Sequence, residues 1–109
     1  MDLAAMLDAV PLPALAIRRD ERIEAANAEA AALLGAGLAG RHFITALRQP
    51  ALLDAVEACL RTGEAREAEF LTNDGEQDTT FRVSVRALRL ADAPGALVCF
   101  EDVTQLERA

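Results

Sequence analysis

The sequence has no tryptophan or tyrosine, and four phenylalanines supply all of its aromatic surface. This is too little for the stacking platforms on which single-stranded nucleic acids are bound. Basic residues are also few, since 11 of them stand against 18 acidic residues and the formal net charge is −7. An acidic protein repels a phosphate backbone and an anionic lipid surface. We therefore expect no nucleic-acid partner and no direct membrane contact.

Long apolar runs are missing as well. The most apolar stretch, Ala25 to Leu38, contains Asn27, Glu29 and two glycines, and residues 1–10 carry acids where a signal peptide would carry bases. We expect a cytoplasmic domain, although the parent protein could carry a membrane anchor elsewhere. With 109 residues, 52% of them hydrophobic and 27% charged, the chain has the size and composition of one folded, soluble domain, residues 1–109.

Metal-binding and redox residues are scarce. The two cysteines, Cys59 and Cys99, stand singly in apolar runs without a CxxC spacing, which favours buried reduced thiols over a disulfide or a metal site. His42 is the one histidine, and its neighbours Arg41 and Phe43 are not metal ligands. We interpret it as a surface or loop residue. A ligand-binding or pH-sensing role is the less favoured alternative.

No catalytic constellation is present. A serine or cysteine nucleophile needs a base within reach, and the single histidine has no identifiable triad partners. Glu67 and Glu69 lie on one face of a predicted strand, where alternating acids usually serve solvation. We expect no catalytic residues and no enzyme activity in this domain.

The N-terminal region predicts a short amphipathic helix within residues 1–10. Asp2 can cap it, and Pro11 and Pro13 end it. The residues of its apolar face follow the i, i+3, i+4, i+7 spacing and are Leu3, Met6, Leu7 and Val10. This face is expected either to pack on the domain's own sheet or to form a homodimer contact.

Residues 14–61 predict a hairpin followed by three helices. The hairpin joins residues 14–17 to residues 22–26 through the polar turn at Asp20 and Glu21. Asn27 is suited to cap a helix over residues 28–34, which Gly35 ends. A short helix over residues 41–48 and a longer one from Pro50 to about Arg61 follow, the latter ended by Gly63. The inward stripe of the longer helix consists of Leu52, Leu53, Val56, Cys59 and Leu60.

The last third changes to the period of strands. Ala68 and Phe70 alternate with acids, a turn is expected at residues 73–75, and apolar residues alternate again over residues 81–87. A second turn is expected at residues 92–95. The next strand runs from residue 96 to residue 103, and its residues 96–100 are apolar on both phases, which indicates a central position in the sheet. A helix is expected to start at Thr104. The fold class is α+β, a five-stranded antiparallel sheet with short helices on one face.

Three segments carry a resemblance to a known family. They are IEAANAEAAALLG (Ile23 to Gly35), GRHFITALR (Gly40 to Arg48) and CFEDVTQLERA (Cys99 to Ala109). The first resembles the strand-to-helix step of PAS sensory domains, with Asn27 as the helix cap. The last resembles the Asp-Ile-Thr motif that ends many PAS domains before a signalling helix, here Asp102-Val103-Thr104. Within the family the chain is most similar to the cytoplasmic PAS domain of phosphate-responsive sensor histidine kinases.

The resemblance implies a PAS core over residues 11–103 and an output helix starting in residues 104–109. It also implies that no flavin or haem is bound, because the flavin-binding Asn-Cys-Arg-Phe signature is missing and residues 50–61 contain no histidine. A pocket for an unidentified small molecule remains, or a core filled by its own side chains. The pocket residues are predicted to be Ile17, Phe43, Leu47, Leu53, Val56, Phe70, Phe81, Val83 and Val98.

The function implied is sensing or signal relay in a bacterial signalling protein, with a sensor histidine kinase as the expected host. A kinase or another output domain is then expected beyond Ala109, because the helix that begins at residue 104 is too short to be stable alone. Asp102 and Thr104 are the expected relay residues. The Thr104 hydroxyl is expected to accept a hydrogen bond from an amide in the first turn of the outgoing helix, and the Asp102 carboxylate to bond the turn before it. The alternative is a ligand-free module that dimerises its host or docks a second protein.

Overall fold

The computed structural model describes residues 2–73 and 75–108, so Asp74 in the expected turn at residues 73–75 and the terminal residues Met1 and Ala109 lie outside the described residues. The elements along the described chain are α1 (Leu3–Asp8), β1 (Ala14–Ile17), β2 (Ile23–Ala26), α2 (Ala28–Leu34), α3 (Phe43–Leu47), α4 (Pro50–Thr62), β3 (Arg66–Asn73), β4 (Asp78–Leu90), β5 (Ala93–Asp102) and α5 (Thr104–Arg108).

The five strands form one antiparallel sheet in the order β2-β1-β5-β4-β3. The α+β fold class is therefore confirmed. β5 occupies the centre of the sheet, which explains why its apolar residues fall on both phases: Val98 is buried on one face, and Leu97 is half-buried on the other.

The helices begin and end close to the predicted residues. Asn27 caps α2 by accepting a hydrogen bond from the Ala30 amide, and the Gly35 amide closes its end. α4 starts at Pro50 and ends at Thr62, and Gly63 caps it with a left-handed φ of 77°. α1 is shorter than expected, since it ends at Asp8 rather than Val10.

Two other predicted boundaries are wrong. α3 begins at Phe43 rather than residue 41, because the segment before it pairs with β2 through the Ile23 amide and the Arg41 carbonyl (2.8 Å). The second turn also lies earlier than residues 92–95. Ala91 and Asp92 take left-handed φ angles of 50° and 65°, so two residues suffice to reverse the chain.

Gly95 was expected in that turn and lies within β5 instead. Its role is close packing, because a Cβ at this position would lie 2.7 Å from the Ile17 carbonyl oxygen on β1. A side chain there would push the two central strands apart.

The two faces of the sheet are covered differently. The inner face packs against α2, α3 and α4 and holds the main core. The outer face carries a smaller cluster in which Leu7 of α1, 4% exposed, contacts the sheet. Leu3 and Val10 are half-buried in the same cluster, while Met6 is 50% exposed. Of the expected dimer-contact residues, Leu7 thus packs on its own domain. The homodimer contact stays a prediction, and Met6 is the most exposed of the four residues that could form it.

Candidate functional site

The nine predicted pocket residues come together in the main core between the sheet and the helices. Eight of them are buried and Leu53 is half-buried at the edge of the same cluster. Their side chains belong to one packed cluster, and its role as a ligand pocket stays a prediction. Four surface clefts of about 290, 440, 380 and 410 Å³ are lined by other residues.

Phe100 lies at the centre of an aromatic cluster that the sequence analysis did not include in the pocket. Its ring makes edge-to-face contacts with Phe70 and Phe81, at centroid distances of 5.3 and 6.1 Å. Phe100 shares the inward phase of Val98 on β5, so alternation along that strand could have identified it. The three rings join strands β3, β4 and β5 directly beneath the end of β5.

The exit junction, Asp102 to Thr104, lies where β5 passes into α5. The Thr104 hydroxyl accepts a hydrogen bond from the Thr80 amide of β4 (3.0 Å) and donates to Asp102 Oδ1 (2.7 Å). The Val103 amide donates to the Thr80 carbonyl (2.9 Å). The side chain of Thr104 therefore continues the β4–β5 ladder beyond the last strand residue and ties the start of α5 to the sheet.

Asp102 holds the same junction from the exposed side. Its Oδ1 accepts from both the hydroxyl and the amide of Thr104 (2.7 and 3.0 Å). These hydrogen bonds favour the ionised carboxylate, so the Thr104 side chain first and its amide second lower the pKa of Asp102. Asp102 and Thr104 thus hold the start of α5 through one connected set of hydrogen bonds.

One expectation for this junction is wrong. Thr104 was expected to accept from an amide in the first turn of its own helix, but its hydroxyl accepts from Thr80 instead. The reason is the register of the two strands. Because Phe81 lies opposite Asp102, the amide of the preceding residue, Thr80, lies within reach of Thr104. Sequence reasoning missed Thr80, because its contribution is a backbone amide and depends on a pairing 24 residues away.

The entry junction is centred on Asn27, which is 2% exposed. Its Oδ1 accepts from the Ala14 and Ala30 amides (3.0 and 2.9 Å). Its Nδ2 donates to the carbonyls of three residues, which are Leu7 (2.9 Å), Val10 (3.4 Å) and Leu12 (2.7 Å). The predicted helix cap is confirmed, and the same side chain also ties α1 and its following loop to the sheet.

His42 is half-buried and caps α3. Its Nδ1 accepts from the Ile44 amide (3.2 Å), and its Nε2 lies 3.1 Å from Glu21 Oε2. Its ring also stacks on Phe43 at 5.1 Å. These contacts give the histidine a structural role. Among the described residues no group of three or more His, Cys, Asp or Glu side chains is arranged to hold a metal ion.

The two cysteines are free thiols. Cys59 is buried on α4, as predicted, and Cys99 is half-buried on the outer face of the sheet. Burial raises the pKa of both thiols, which disfavours the reactive thiolate. Within residues 2–73 and 75–108, no helix is long and apolar enough to cross a membrane.

An antiparallel sheet with its main core on one face, whose central strand β5 passes into the outgoing helix α5, is the architecture of an α+β domain. The sequence matches the family described as PAS fold over residues 7–108. The chain therefore belongs to the PAS family. A comparison with curated proteins found no match.

Similar solved structures come from several signalling proteins. The PAS domain of nitrogen regulation protein NR(II) from Vibrio parahaemolyticus is 17% identical, with 94% of this chain and 99% of that one covered and a TM-score of 0.69. The PAS domain of Bordetella pertussis BvgS is 16% identical, with 97% and 89% covered and a TM-score of 0.70. At these identities the likeness concerns the fold.

A third similar structure is the photoactive yellow protein domain of the sensor histidine kinase Ppr from Rhodospirillum centenum. It is 17% identical, with 89% of this chain and 96% of that one covered and a TM-score of 0.70. Because a photoactive domain shares the fold, the expected absence of a cofactor stays a prediction. The similar structures are also diverse and do not single out phosphate-responsive kinases.

Proposed function

We propose that this PAS domain is the sensory input of a bacterial sensor histidine kinase and passes a change in its core to the helix that leaves the sheet. The observation that carries the proposal is the Thr104 hydroxyl, which bonds the Thr80 amide of β4 and Asp102 at the start of α5. Any shift of β4 against β5 changes the geometry of these bonds. The outgoing helix then rotates or frays.

The main core supplies the input in this proposal. Phe81 and Phe100 lie on the two strands that form the junction, and Phe81 is the direct neighbour of Thr80. A small molecule that displaces or reorients these rings biases one arrangement of the two strands over another. The names of the similar proteins, which include a sensor histidine kinase, support a kinase as the host.

The proposal is tested in the protein that carries this domain, with the variants Thr104→Ala and Asp102→Ala at matched expression. Each bond contributes about 0.5–1.5 kcal/mol to stability, so the isolated domain should stay folded, with a melting temperature a few degrees lower. Output should lose its dependence on the stimulus or stay in one state. If both variants respond like the parent protein, the relay is wrong.

A ligand-free interaction module is the second candidate, and the packing of the nine predicted pocket residues into one core favours it. Native mass spectrometry distinguishes the two candidates. A retained or titratable small molecule supports the sensor, whereas a stable dimer that never takes up a ligand supports the interaction module. Met6→Glu, at a half-exposed position of α1, should then convert the dimer to a monomer without unfolding the domain, and a Glu at buried Leu7 could not make this distinction.

A further inference from the structure

The sheet has two edges, and they are covered to different extents. At the β2 edge, the Ile23 amide donates to the Arg41 carbonyl and the Ile23 carbonyl accepts from the Gly40 amide (both 2.8 Å). The chain thus covers that edge with its own backbone. At the other edge, β4 is the only strand of the described chain that pairs with β3.

Gln49 occupies one position of the β3 edge. Its Oε1 accepts from the Leu71 amide (3.0 Å), and its Nε2 donates to the Leu71 carbonyl (2.7 Å). These are the two hydrogen bonds that a residue of a neighbouring strand would make. The side-chain amide therefore takes the place of a pairing strand at Leu71, and the edge is oriented for such pairing.

The rest of this edge follows from the register. β3 and β4 pair without a bulge from Arg66 to Asn73, and backbone groups of alternate residues point to the same side of a strand. Since Leu71 directs its amide and carbonyl away from β4, Glu69 and Glu67 do the same. In the described part of the chain, no backbone or side-chain group bonds these outward groups of Glu67 and Glu69.

The charges at this edge indicate the kind of partner. Glu67 and Glu69 are exposed and lack an ion-pair partner among the described side chains, and the arginine opposite Glu69, Arg82, pairs with Glu101 (3.6 Å). Pairing two copies of this edge about Glu69 would set the two Glu69 carboxylates against each other, which is unfavourable. Lysine or arginine at alternate positions of an added strand would instead face both carboxylates.

We propose that the β3 edge from Glu67 to Leu71 is a strand-addition site for an extended peptide segment of another protein, with basic residues at every second position. The segment pairs with the outward backbone of Glu67 and Glu69 and displaces Gln49 to reach Leu71. Main-chain hydrogen bonds supply the binding and the two carboxylates select the sequence. This surface is independent of the relay at Asp102 and Thr104.

The test uses a short peptide that alternates lysine and valine, with the same peptide carrying glutamate in place of lysine as the control. Amide hydrogen exchange is followed by NMR. The lysine peptide should slow exchange at Glu67 and Glu69 by about tenfold or more, while Ala68 and Phe70, whose amides already face β4, change little. The glutamate peptide should have no effect.

Three variants extend this test. In Gln49→Ala the Leu71 amide loses its side-chain acceptor in the unbound chain, so the peptide should slow exchange of this amide as well. The double change Glu67→Gln, Glu69→Gln should weaken binding by about threefold to tenfold. Glu69→Pro removes an outward amide without removing a ladder bond and should abolish binding. Equal protection at Ala68 and Phe70, equal binding of both peptides, or protection of these amides by dimerisation of the chain alone would overturn the proposal.

Discussion

The entry junction and the exit junction of the sheet differ in burial and in the number of side chains that hold them. The entry junction is one buried side chain, Asn27, with five hydrogen bonds to backbone groups of separate segments. The exit junction is held by Asp102, which is exposed, and Thr104, which is half-buried, through bonds to each other and to Thr80. Breaking the first leaves buried polar groups without partners, whereas water can replace much of the second. The comparison indicates that the hydrogen bonds of the entry junction are costly to break, whereas those of the exit junction can rearrange at a smaller cost.

The largest effect is expected at the entry junction. Asn27→Ala should lower the free energy of unfolding by about 3 kcal/mol, because several buried amides and carbonyls lose their partner at once. Urea unfolding followed by circular dichroism measures it. Asp2→Ala, which removes an exposed cap of α1, is the matched control and should cost under about 1 kcal/mol. If both variants lowered the free energy of unfolding equally, Asn27 would stabilise the domain no more than an exposed helix cap does.

A smaller effect is expected at the exit junction. Thr104→Val keeps the side-chain shape but removes the hydroxyl that binds Thr80, and should cost about 1 kcal/mol. Thr79→Val is the control at the residue before Thr80. The Thr79 side chain makes no hydrogen bond to the described residues, so this variant should stay within about 0.5 kcal/mol of the parent. Amide exchange should speed up at Thr80 in the first variant alone. Unchanged exchange at Thr80 would contradict the assigned bond.

The smallest effect concerns pH. The bonds from Thr104 lower the folded pKa of Asp102, so its stabilisation is complete above the unfolded value of about 3.9 and is lost as pH falls through the folded value. The Thr104 amide resonance should therefore shift below about pH 4, in NMR spectra where the domain is still folded. Asp102→Asn keeps an acceptor oxygen without this titration and should remove the shift. A shift that persists in this variant would belong to another group.

The exit junction also shows how far the sequence predicts this molecule. Alternation, helix periodicity, composition and capping residues predicted the strands and helices that the structure describes, and the resemblance of Asp102-Val103-Thr104 to the Asp-Ile-Thr motif identified the exit junction. The partner of Thr104 is a backbone amide on another strand, and Gln49 reaches Leu71 across 22 residues. Neither follows from local pattern, because both depend on register and on the path of the chain between strands.

The boundary errors have the same origin. The turn between β4 and β5 uses Ala91 and Asp92 in left-handed conformations, although the sequence places its usual turn formers, Pro94 and Gly95, later. Gly95 is needed for the close approach of β1, a tertiary constraint that outweighs its turn propensity. Residues chosen for packing between strands therefore look like turn residues when the sequence is considered alone.

The central claim, that the core is coupled to the outgoing helix through the exit junction, is tested most directly by a double-mutant cycle of Phe81→Leu and Thr104→Val. Phe81 lies opposite Asp102 and next to Thr80. Unfolding free energies should depart from additivity by more than about 0.5 kcal/mol, while the control cycle of Phe43→Leu on α3 with Thr104→Val should be additive within about that amount. Additivity in both cycles would contradict the account.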